Sequence, residues 1–469
     1  MKINAIPNNM EKYMAFMLGY NLVFIYSFQF ISSSLDKLVG NLPRESFKYT
    51  SEVFKGKALD LMSKKGVYPY DYMGSLEKFD ETKLPTKDQF YSILNDEHIS
   101  DDDYKHAKRV WKGFSLKNMG EYHDLYLMSD ILLLADMFEN FRKTCLEYYK
   151  LDPAHYFTSP GLSWNAMLKI TDIKLELMSD IDMFQFIEKG MRVGTSYIAN
   201  RFGEANNKYM KSYDGTKSSK YITFLDANNL YGCAMSQHLP TGKFRWMNQK
   251  QIDKLDLSKY TDDSKTGLIL EVDLECPHKL HDLHNDFPSA PEQVKVTENM
   301  LSKYCQQIKD KFNISTGQVH KLIPTLSSKQ KYVLHHRNLQ LYLDLGLKQV
   351  TKIHFVLKLN QSPWLKSYID FNTQKRTNAK NSFKKDFFKL MNNSVSGKTM
   401  ENVRKRDDVR LITNAKQHTK LASKPTYVSS KIFNKNLVAV HKIKEALILN
   451  RLAYVGMCIL DLSNEDFDV

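Results

Sequence analysis

A long stretch of uninterrupted helical periodicity, from Tyr122 to Tyr149, constrains the fold of this chain more than any other feature. Apolar residues recur at helical spacing through YHDLYLMSDILLLADMFENFRKTCLEYY, which contains neither proline nor glycine. The pattern predicts one long helix whose apolar face lies mostly in a core. Upstream, Ser100 and Asp103 resemble a capping box ahead of a helix over residues 104–114. The acidic triplet at 101–103 is therefore interpreted as a helix start rather than a metal site.

The composition of the 469 residues predicts a globular, basic protein of two or three domains. Apolar residues make up 42% and aromatic residues 12%, which excludes a wholly disordered chain and a coiled-coil rod. The formal net charge is +14, so nucleic acid is the first expected partner and an anionic membrane surface the second. Residues 375–410 hold eleven basic and four acidic side chains, which accounts for half of that charge.

The cysteine pattern and the N-terminal apolar run bear on the compartment. No two of the five cysteines form a CxxC pair, which disfavours structural zinc and a disulfide framework and favours a reducing, intracellular compartment. The uncharged run between Lys12 and Asp36 is long enough to suggest a membrane span, but its polar residues argue against one. Alternation over residues 22–27 predicts a mostly buried strand there instead.

The middle of the chain predicts a sheet with a carboxylate at its edge. Composition shifts to Gly, Asn and Arg over residues 190–207, where we place the main domain boundary. Residues 221–225 predict a short strand that ends at Asp226, followed by a helix over 230–237, and residues 267–274 predict a second strand. A carboxylate at that position can face a divalent cation, although a solvated Asp that ends a strand is the commoner arrangement.

The basic stretch contains a helical row of cations and an amide. At about 100° per residue, Lys385, Lys389 and Asn393 share one helical face. Such a row suits a triphosphate or a nucleic-acid backbone, and the alternative is an amphipathic surface helix with solvated lysines. The nearby Gly397-Lys398-Thr399 looks like the end of a P-loop, but Asn392 stands where that motif requires glycine. The P-loop interpretation is therefore excluded.

Taken together, these segments resemble family B DNA polymerases of the protein-primed branch. Residues 221–232 (YITFLDANNLYG) resemble the first palm motif, DxxSLYP, and residues 389–397 (KLMNNSVSG) resemble the fingers motif, KxxxNSxYG. The triplet at 192–194 resembles the YRGG signature, residues 126–130 (YLMSD) resemble the third exonuclease motif, YxxxD, and residues 34–38 (SLDKL) resemble the single-strand-binding motif, (S/T)LxxΦ. These five matches occur in family order and span nearly the whole chain.

The chain also departs from the pattern of that family. Asn229 and Gly232 replace the family's Ser and Pro in the palm motif, Ser396 replaces an aromatic residue in the fingers motif, and Met191 and Val193 replace Tyr and Gly in YRGG. No DxE or NxxxFD exonuclease motif precedes the YxxxD match, and no YxDTDS motif occurs anywhere. The acidic C-terminal tail does not match YxDTDS. These absences lead us to expect a sequence truncated at both ends.

The resemblance implies an α/β fold with the right-hand architecture of polymerases. An exonuclease-like, ribonuclease H-like N-terminal domain is expected over residues 1–188, in partial form. A palm with an inserted subdomain is expected over 189–364, and helical fingers over 365–410. Residues 411–469 are expected to return to the palm and to stop before the DTDS hairpin.

The resemblance also implies templated addition of deoxynucleotides to a DNA 3′ end by a two-metal mechanism that uses Mg²⁺. Asp226 would be the catalytic carboxylate, and it would hold metal together with the carbonyl of Ala227. The residues implied to bind the incoming deoxynucleoside triphosphate are Tyr231, Lys385, Lys389 and Asn393. The residues implied to contact the primer-template DNA are Ser34, Leu35, Arg192, Gly194, Ser394 and Gly397. Tyr126 and Asp130 would be the remnant of the exonuclease site.

Two hypotheses from different classes follow from these observations. The first is a DNA-directed DNA polymerase, with a terminal priming protein as a further partner and no membrane partner. The second is a non-catalytic nucleic-acid-binding remnant of a mobile element, which keeps basic grooves without a second metal ligand. A nuclease is disfavoured because only one of the three exonuclease motifs is present.

Overall fold

A computed structural model describes residues 3–7, 13–19, 22–31, 33–192, 195, 198–200, 202–225, 229–346 and 349–465. Its content of 44% helix and 19% strand confirms the predicted α/β class and is consistent with a right-hand polymerase fold. The described strands are β1 (Ile3–Pro7), β2 (Tyr13–Leu18), β3 (Leu22–Ile25), β4 (Leu239–Trp246), β5 (Thr266–Glu275), β6 (Glu292–Lys295), β7 (His320–Ile323), β8 (Lys329–His335), β9 (Gln349–Ser362), β10 (Asp408–Ile412), β11 (Tyr427–Asn434) and β12 (Leu437–Lys442).

The helices follow the same chain order, and none of those in the described ranges is long and apolar enough to cross a bilayer. They are α1 (Leu35–Gly40), α2 (Lys48–Val53), α3 (Lys57–Met62), α4 (Asp101–Gly113), α5 (Met119–Tyr149), α6 (Ser159–Thr171), α7 (Ile181–Gly190), α8 (Leu230–Met235), α9 (Gln249–Ile252), α10 (His281–His284), α11 (Lys303–Phe312), α12 (His336–Asp344), α13 (Lys366–Thr377), α14 (Ser382–Thr399), α15 (Ala415–Ala422) and α16 (Ala453–Glu465).

The chain divides into two compact units, each built from separated segments. Unit 1 comprises residues 1–169, 373–391 and 406–445. Unit 2 comprises residues 170–372, 392–405 and 446–469. The boundary inside α14 falls between Met391 and Asn392, so this helix contributes residues to both units.

Unit 1 is organised along the long helix α5, which confirms the helix predicted from periodicity. Leu133, Met137, Phe141 and Cys145 recur every four residues along α5, and each is at most 2% exposed. They form the buried stripe that an amphipathic helix turns toward its core. The α4 helix begins as predicted, with Ser100 as its N-cap. The Ser100 hydroxyl oxygen accepts a hydrogen bond from the backbone N–H of Asp103 at 3.1 Å. Two antiparallel three-stranded sheets, β1-β2-β3 and β10-β12-β11, complete the unit.

Unit 2 is built on an antiparallel four-stranded sheet of order β4-β9-β5-β8. The predicted strand over 267–274 lies within β5, and all eight of these residues are buried. Its sequence, GLILEVDL, is mostly apolar and is interrupted by Glu271 and Asp273, and such a run is typical of a strand that is buried on both faces. Leu268, Leu270 and Val272 pack there with Leu334, Leu339 and Val356 in one core cluster.

Two sequence predictions about strands differ from the structure. Residues 221–225 form no strand, and their apolar side chains are exposed, Phe224 by 92% and Leu225 by 86%. The β3 strand does form, but Leu22 and Phe24 are 52% and 40% exposed, so the prediction that this strand is mostly buried was wrong. Strand propensity identifies residues that fit a pleated surface. Whether such residues pair and become buried depends on partners far away in the sequence, which local periodicity does not reveal.

Candidate functional site

The α14 helix carries the predicted row of cations on its exposed face. Lys385, Lys389, Asn393 and Gly397 follow one another at four-residue spacing, and all four are exposed. Residues four apart lie on the same side of a helix, so the row forms a continuous polar stripe. No Cβ at Gly397 would meet a neighbouring atom within 4 Å, which leaves open space at the end of the stripe.

The opposite face of α14 packs into unit 1 through aromatic rings. Phe387 and Phe388 are 4% and 1% exposed. The Phe387 ring meets that of Phe141 edge-on at a centroid distance of 5.6 Å, and the Phe388 ring meets that of Tyr148 at 5.2 Å. Edge-to-face pairs of this kind add specific geometry to apolar burial. The rings therefore fix the rotation of the helix about its axis and, with it, the direction of the lysine row.

In unit 2, the C-terminal half of α14 is held by a buried amide pair. Asn372 Nδ2 donates to Asn392 Oδ1 at 2.7 Å, and the two residues are 0% and 5% exposed. A buried polar group is costly unless it is paired, so this bond ties α14 to α13 at a defined position. Ser394, predicted to contact the primer-template DNA, is buried and follows Asn392 by two residues. Its contact with DNA stays a prediction.

The palm-motif segment is described on both sides of its carboxylate, over residues 221–225 and 229–232. Asp226 and Ala227, the predicted metal ligands, lie outside the described residues. Downstream, Asn229 caps α8 with a left-handed backbone at φ +64°, and a Cβ at Gly232 would overlap its side-chain amide. Tyr231, on the same turn, is 37% exposed. Its ring is therefore accessible, which a sugar-contacting residue requires and a core tyrosine would not show.

The predicted exonuclease remnant forms a cluster around a lysine that sequence reasoning missed. Lys65 Nζ donates to the carboxylate of Asp130 at 2.7 Å and to the hydroxyl of Tyr126 at 2.7 Å. The Tyr70 hydroxyl lies 2.8 Å from that of Tyr126. Burial, the hydrogen bond with Tyr70 and the nearby Asp130 all raise the pKa of Tyr126. Because Lys65 is 61 residues from Tyr126, no local pattern could have joined them.

The remaining predicted DNA contacts are placed as follows. Ser34 is exposed and caps α1 by accepting a hydrogen bond from the Lys37 N–H at 3.3 Å, and Leu35 is half-buried. Arg192 is half-buried: its guanidinium lies 3.6 Å from the centroid of the Tyr332 ring, and Nη1 donates to the Val333 carbonyl at 2.7 Å. Gly194 lies outside the described residues. Contact of these residues with DNA stays a prediction.

A buried carboxylate in α16 is a further feature that the sequence did not indicate. Asp461 is 3% exposed, and its Oδ2 accepts a hydrogen bond from the backbone N–H of His335, the residue that precedes α12, at 2.7 Å. Burial raises the pKa of Asp461 to about 6, although the charge of Arg192 and the His335 hydrogen bond act in the opposite direction. Asp461 therefore fastens α16, which continues to Glu465, to the start of α12.

We expect Asp461→Asn to raise the free energy of unfolding at pH 7 by about 3 kcal/mol, because the pKa near 6 in the folded state exceeds the ordinary value of 3.8. The stability contributed by the neutral carboxyl is complete below about pH 4 and is lost as the pH rises through about 6. Urea unfolding between pH 4 and pH 7 measures this, with the exposed Asp253→Asn as control. Equal pH slopes for Asp461→Asn and the unaltered chain would contradict the expectation.

No group of three or more His, Cys, Asp or Glu side chains that could hold a metal ion occurs among the described residues. Asp461 does not change this, because its carboxylate is engaged by the His335 N–H in a buried site. The donors implied for Mg²⁺, Asp226 and the Ala227 carbonyl, lie outside the described part of the chain. The fit of the ion to this site therefore depends on residues beyond those the structure describes.

Solved structures similar to this chain include those of phi29 DNA polymerase. The chain is similar to phi29 DNA polymerase complexed with primer-template DNA, with 14% identity and a TM-score of 0.45, over 98% of this chain and 60% of that one. The orthorhombic crystal form of phi29 DNA polymerase gives 13% identity and a TM-score of 0.44, over 98% of this chain and 61% of that one. The chain thus spans about 60% of the length of these polymerases. No curated protein matches it.

The family model described as DNA polymerase type B, organellar and viral, matches residues 3–446, which is nearly the whole chain. That range contains the α14 row, the palm-motif segment and the Tyr126–Asp130 cluster. This chain belongs to the organellar and viral family of type B DNA polymerases.

Proposed function

We propose that this chain acts in templated DNA synthesis as a DNA-directed DNA polymerase of the protein-primed type. The substrates would be deoxynucleoside triphosphates and a primer-template DNA, and a terminal protein would supply the first primer. Membership of the family supports the class of reaction. The observation that carries the proposal further is the exposed α14 row of Lys385, Lys389 and Asn393, which is directed by a buried aromatic face.

The α14 row is suited to grip a triphosphate. Two ammonium groups and an amide at four-residue spacing present donors along about 12 Å of one helix face, since each residue rises about 1.5 Å. Ammonium groups neutralise phosphate oxygens as point charges, and the amide can bond a sugar or a base. The open space at Gly397 would let a nucleic-acid base approach the helix backbone closely.

We expect Lys389→Ala to raise the apparent KM for deoxynucleotides by roughly tenfold or more, because a charged contact to phosphate is lost. Steady-state primer extension by a catalytically competent, C-terminally extended chain measures this. Lys366→Ala in α13 is the matched control, since Lys366 is also an exposed helical lysine but pairs with Asp370 at 3.0 Å. Equal weakening of DNA binding by both variants, with KM unchanged, would show that α14 is only a generic phosphate-binding face.

Tyr231 is proposed to discriminate between sugars. An aromatic ring placed beneath the deoxyribose leaves no volume for a 2′-hydroxyl, and the partly exposed ring of Tyr231 is available for that contact. We expect Tyr231→Val to raise ribonucleotide incorporation by roughly tenfold or more relative to deoxyribonucleotide use. Competitive incorporation assays measure the ratio, with Tyr304→Val, an exposed tyrosine of α11, as control. An unchanged ratio would reject the assignment.

Magnesium is the cofactor implied by the proposal. When bound, the ion would supply positive charge at the triphosphate and at the primer hydroxyl. The described residues contribute the complementary functions, which are phosphate binding by the α14 row and sugar selection by Tyr231. The ligands proposed for the ion are Asp226 and the carbonyl of Ala227.

The second candidate function is a non-catalytic nucleic-acid-binding protein of a mobile element. The pairing of Asp130 with Lys65, which engages the carboxylate of the exonuclease remnant, favours it. It predicts DNA binding without extension under every condition. Primer extension after addition of a YxDTDS-bearing segment distinguishes the two candidates.

A further inference from the structure

A closed loop over residues 206–220, here called the 206–220 loop, precedes the palm-motif segment directly. Its ends are joined by a pair of backbone hydrogen bonds: the Asn206 N–H donates to the Lys220 carbonyl at 2.9 Å, and the Lys220 N–H donates to the Asn206 carbonyl at 2.7 Å. The loop lies wholly within unit 2. It begins inside the Gly-, Asn- and Arg-rich stretch at 190–207 where the sequence predicts the main domain boundary, and no part of the proposed polymerase mechanism uses it.

Two asparagines hold the 206–220 loop closed from within. Asn206 Nδ2 donates to the carbonyls of Asp214 and Ser218 at 3.0 and 3.2 Å, and Asn206 Oδ1 accepts from the Asp214 N–H at 2.9 Å. Asn207, 8% exposed, donates from Nδ2 to the Lys220 carbonyl at 3.2 Å. These bonds satisfy several polar groups of the loop backbone internally and hold the loop closed.

The same closure turns aromatic and basic side chains outward. Tyr209 and Tyr213 are 78% and 44% exposed, and the Lys208 ammonium lies 5.2 Å from the centroid of the Tyr209 ring. The four lysines of the loop, all exposed, are Lys208, Lys211, Lys217 and Lys220. Asp214 is the one acid in this segment of the sequence, and its carboxylate accepts from Thr216 at 2.6 Å and lies 3.4 Å from Lys217. The outer surface is thus cationic and aromatic.

We propose that the 206–220 loop binds unpaired bases of a single-stranded nucleic acid, with Tyr209 and Tyr213 as stacking platforms and the lysines as phosphate contacts. Aromatic rings interleaved with cations are the combination that single strands recognise, because every base offers a stacking face and every linkage a phosphate. A loop already closed by Asn206 and Asn207 loses little further conformational entropy on binding. In a polymerase, such a loop would hold the strand that is not yet paired, and this placement rests on the proposed function.

Equilibrium binding of labelled oligonucleotides to the full chain tests the proposal, without nucleotides or Mg²⁺. The probes are oligo(dT), oligo(rU) and a DNA duplex of equal length. We expect Tyr209→Ala/Tyr213→Ala to weaken single-strand binding at least about tenfold and to leave duplex binding unchanged. A loss confined to oligo(dT) or to oligo(rU) would support the proposal and identify the strand. Lys208→Ala/Lys211→Ala should reduce the magnitude of the negative slope of log K for single-strand binding against log salt concentration by about 1.

The matched control is Lys311→Ala/Phe312→Ala on α11. This pair also places an ammonium near an exposed ring, at 5.4 Å from the centroid, with Phe312 60% exposed. Equal losses from the loop and control variants, an equal loss on duplex, or no loss from the tyrosine variant would overturn the proposal. Melting temperatures should be unchanged for all of these surface variants. This binding assay measures no primer extension. Its result can therefore be interpreted even if the polymerase proposal is rejected, and a negative binding result would leave the polymerase proposal intact.

Discussion

Primer extension by the 469-residue chain with Mg²⁺ should be undetectable, and it should rise by several orders of magnitude when a segment bearing YxDTDS is appended to the C-terminus. A lone palm carboxylate cannot set the spacing of roughly 3.5 to 4 Å between two ions on which in-line transfer depends. The described residues offer no substitute, because Asp461 is buried and engaged by the His335 N–H. DNA binding at low salt should be present before and after the addition.

The unpaired state of residues 221–225 gives a second reason for the expected recovery. Tyr221, Ile222, Phe224 and Leu225 favour a strand but are between 61% and 92% exposed, and no described strand pairs with them. An appended hairpin would offer backbone partners and cover these side chains. The control is the same segment with both aspartates of DTDS changed to asparagine, which should pair equally well without restoring extension. Robust extension by the unaltered chain would overturn the expectation.

Asp226→Asn should lower extension by the extended chain roughly 10³-fold or more, the order seen when a group that stabilises charge in phosphoryl transfer is lost. Affinity for primer-template DNA should change little, because binding rests on many separate phosphate contacts. Single-turnover extension and equilibrium DNA binding, measured on the same preparations, separate these two effects. Asp253→Asn, at an exposed aspartate in unit 2, is the matched control. Extension rates unaffected by Asp226→Asn would remove this residue from the catalytic site.

The elements predicted correctly from the sequence are those whose signals are local. The α5 helix and the Ser100 cap of α4 depend on spacing within a few residues, and the buried β5 strand is indicated by a mostly apolar run that Glu271 and Asp273 interrupt. The α14 row is of the same kind, because helical geometry alone puts Lys385 and Lys389 on one face.

The features that sequence reasoning missed depend on contacts between distant segments. The Lys65 ammonium reaches Asp130 across 65 positions, and Asp461 reaches the His335 N–H across 126. A lysine or an aspartate in a sequence gives no sign of a distant partner, because both residue types are usually solvated at the protein surface. The prediction of a strand at residues 221–225 was wrong because a strand also needs a neighbouring strand to pair with. The local sequence pattern favours a strand but gives no information about such a neighbour.

The overlap at Asn229 and Gly232 changes how the palm motif of this chain should be altered by design. The two residues that differ from DxxSLYP occupy one space, because the Asn229 amide fills the volume that any side chain at position 232 would need. The effects of changing positions 229 and 232 are therefore expected to depend on each other. Restoring the proline alone would require the Asn229 amide, the end of a flexible side chain, to turn away, so exchanging both positions together is the simpler way to return this turn to the family pattern.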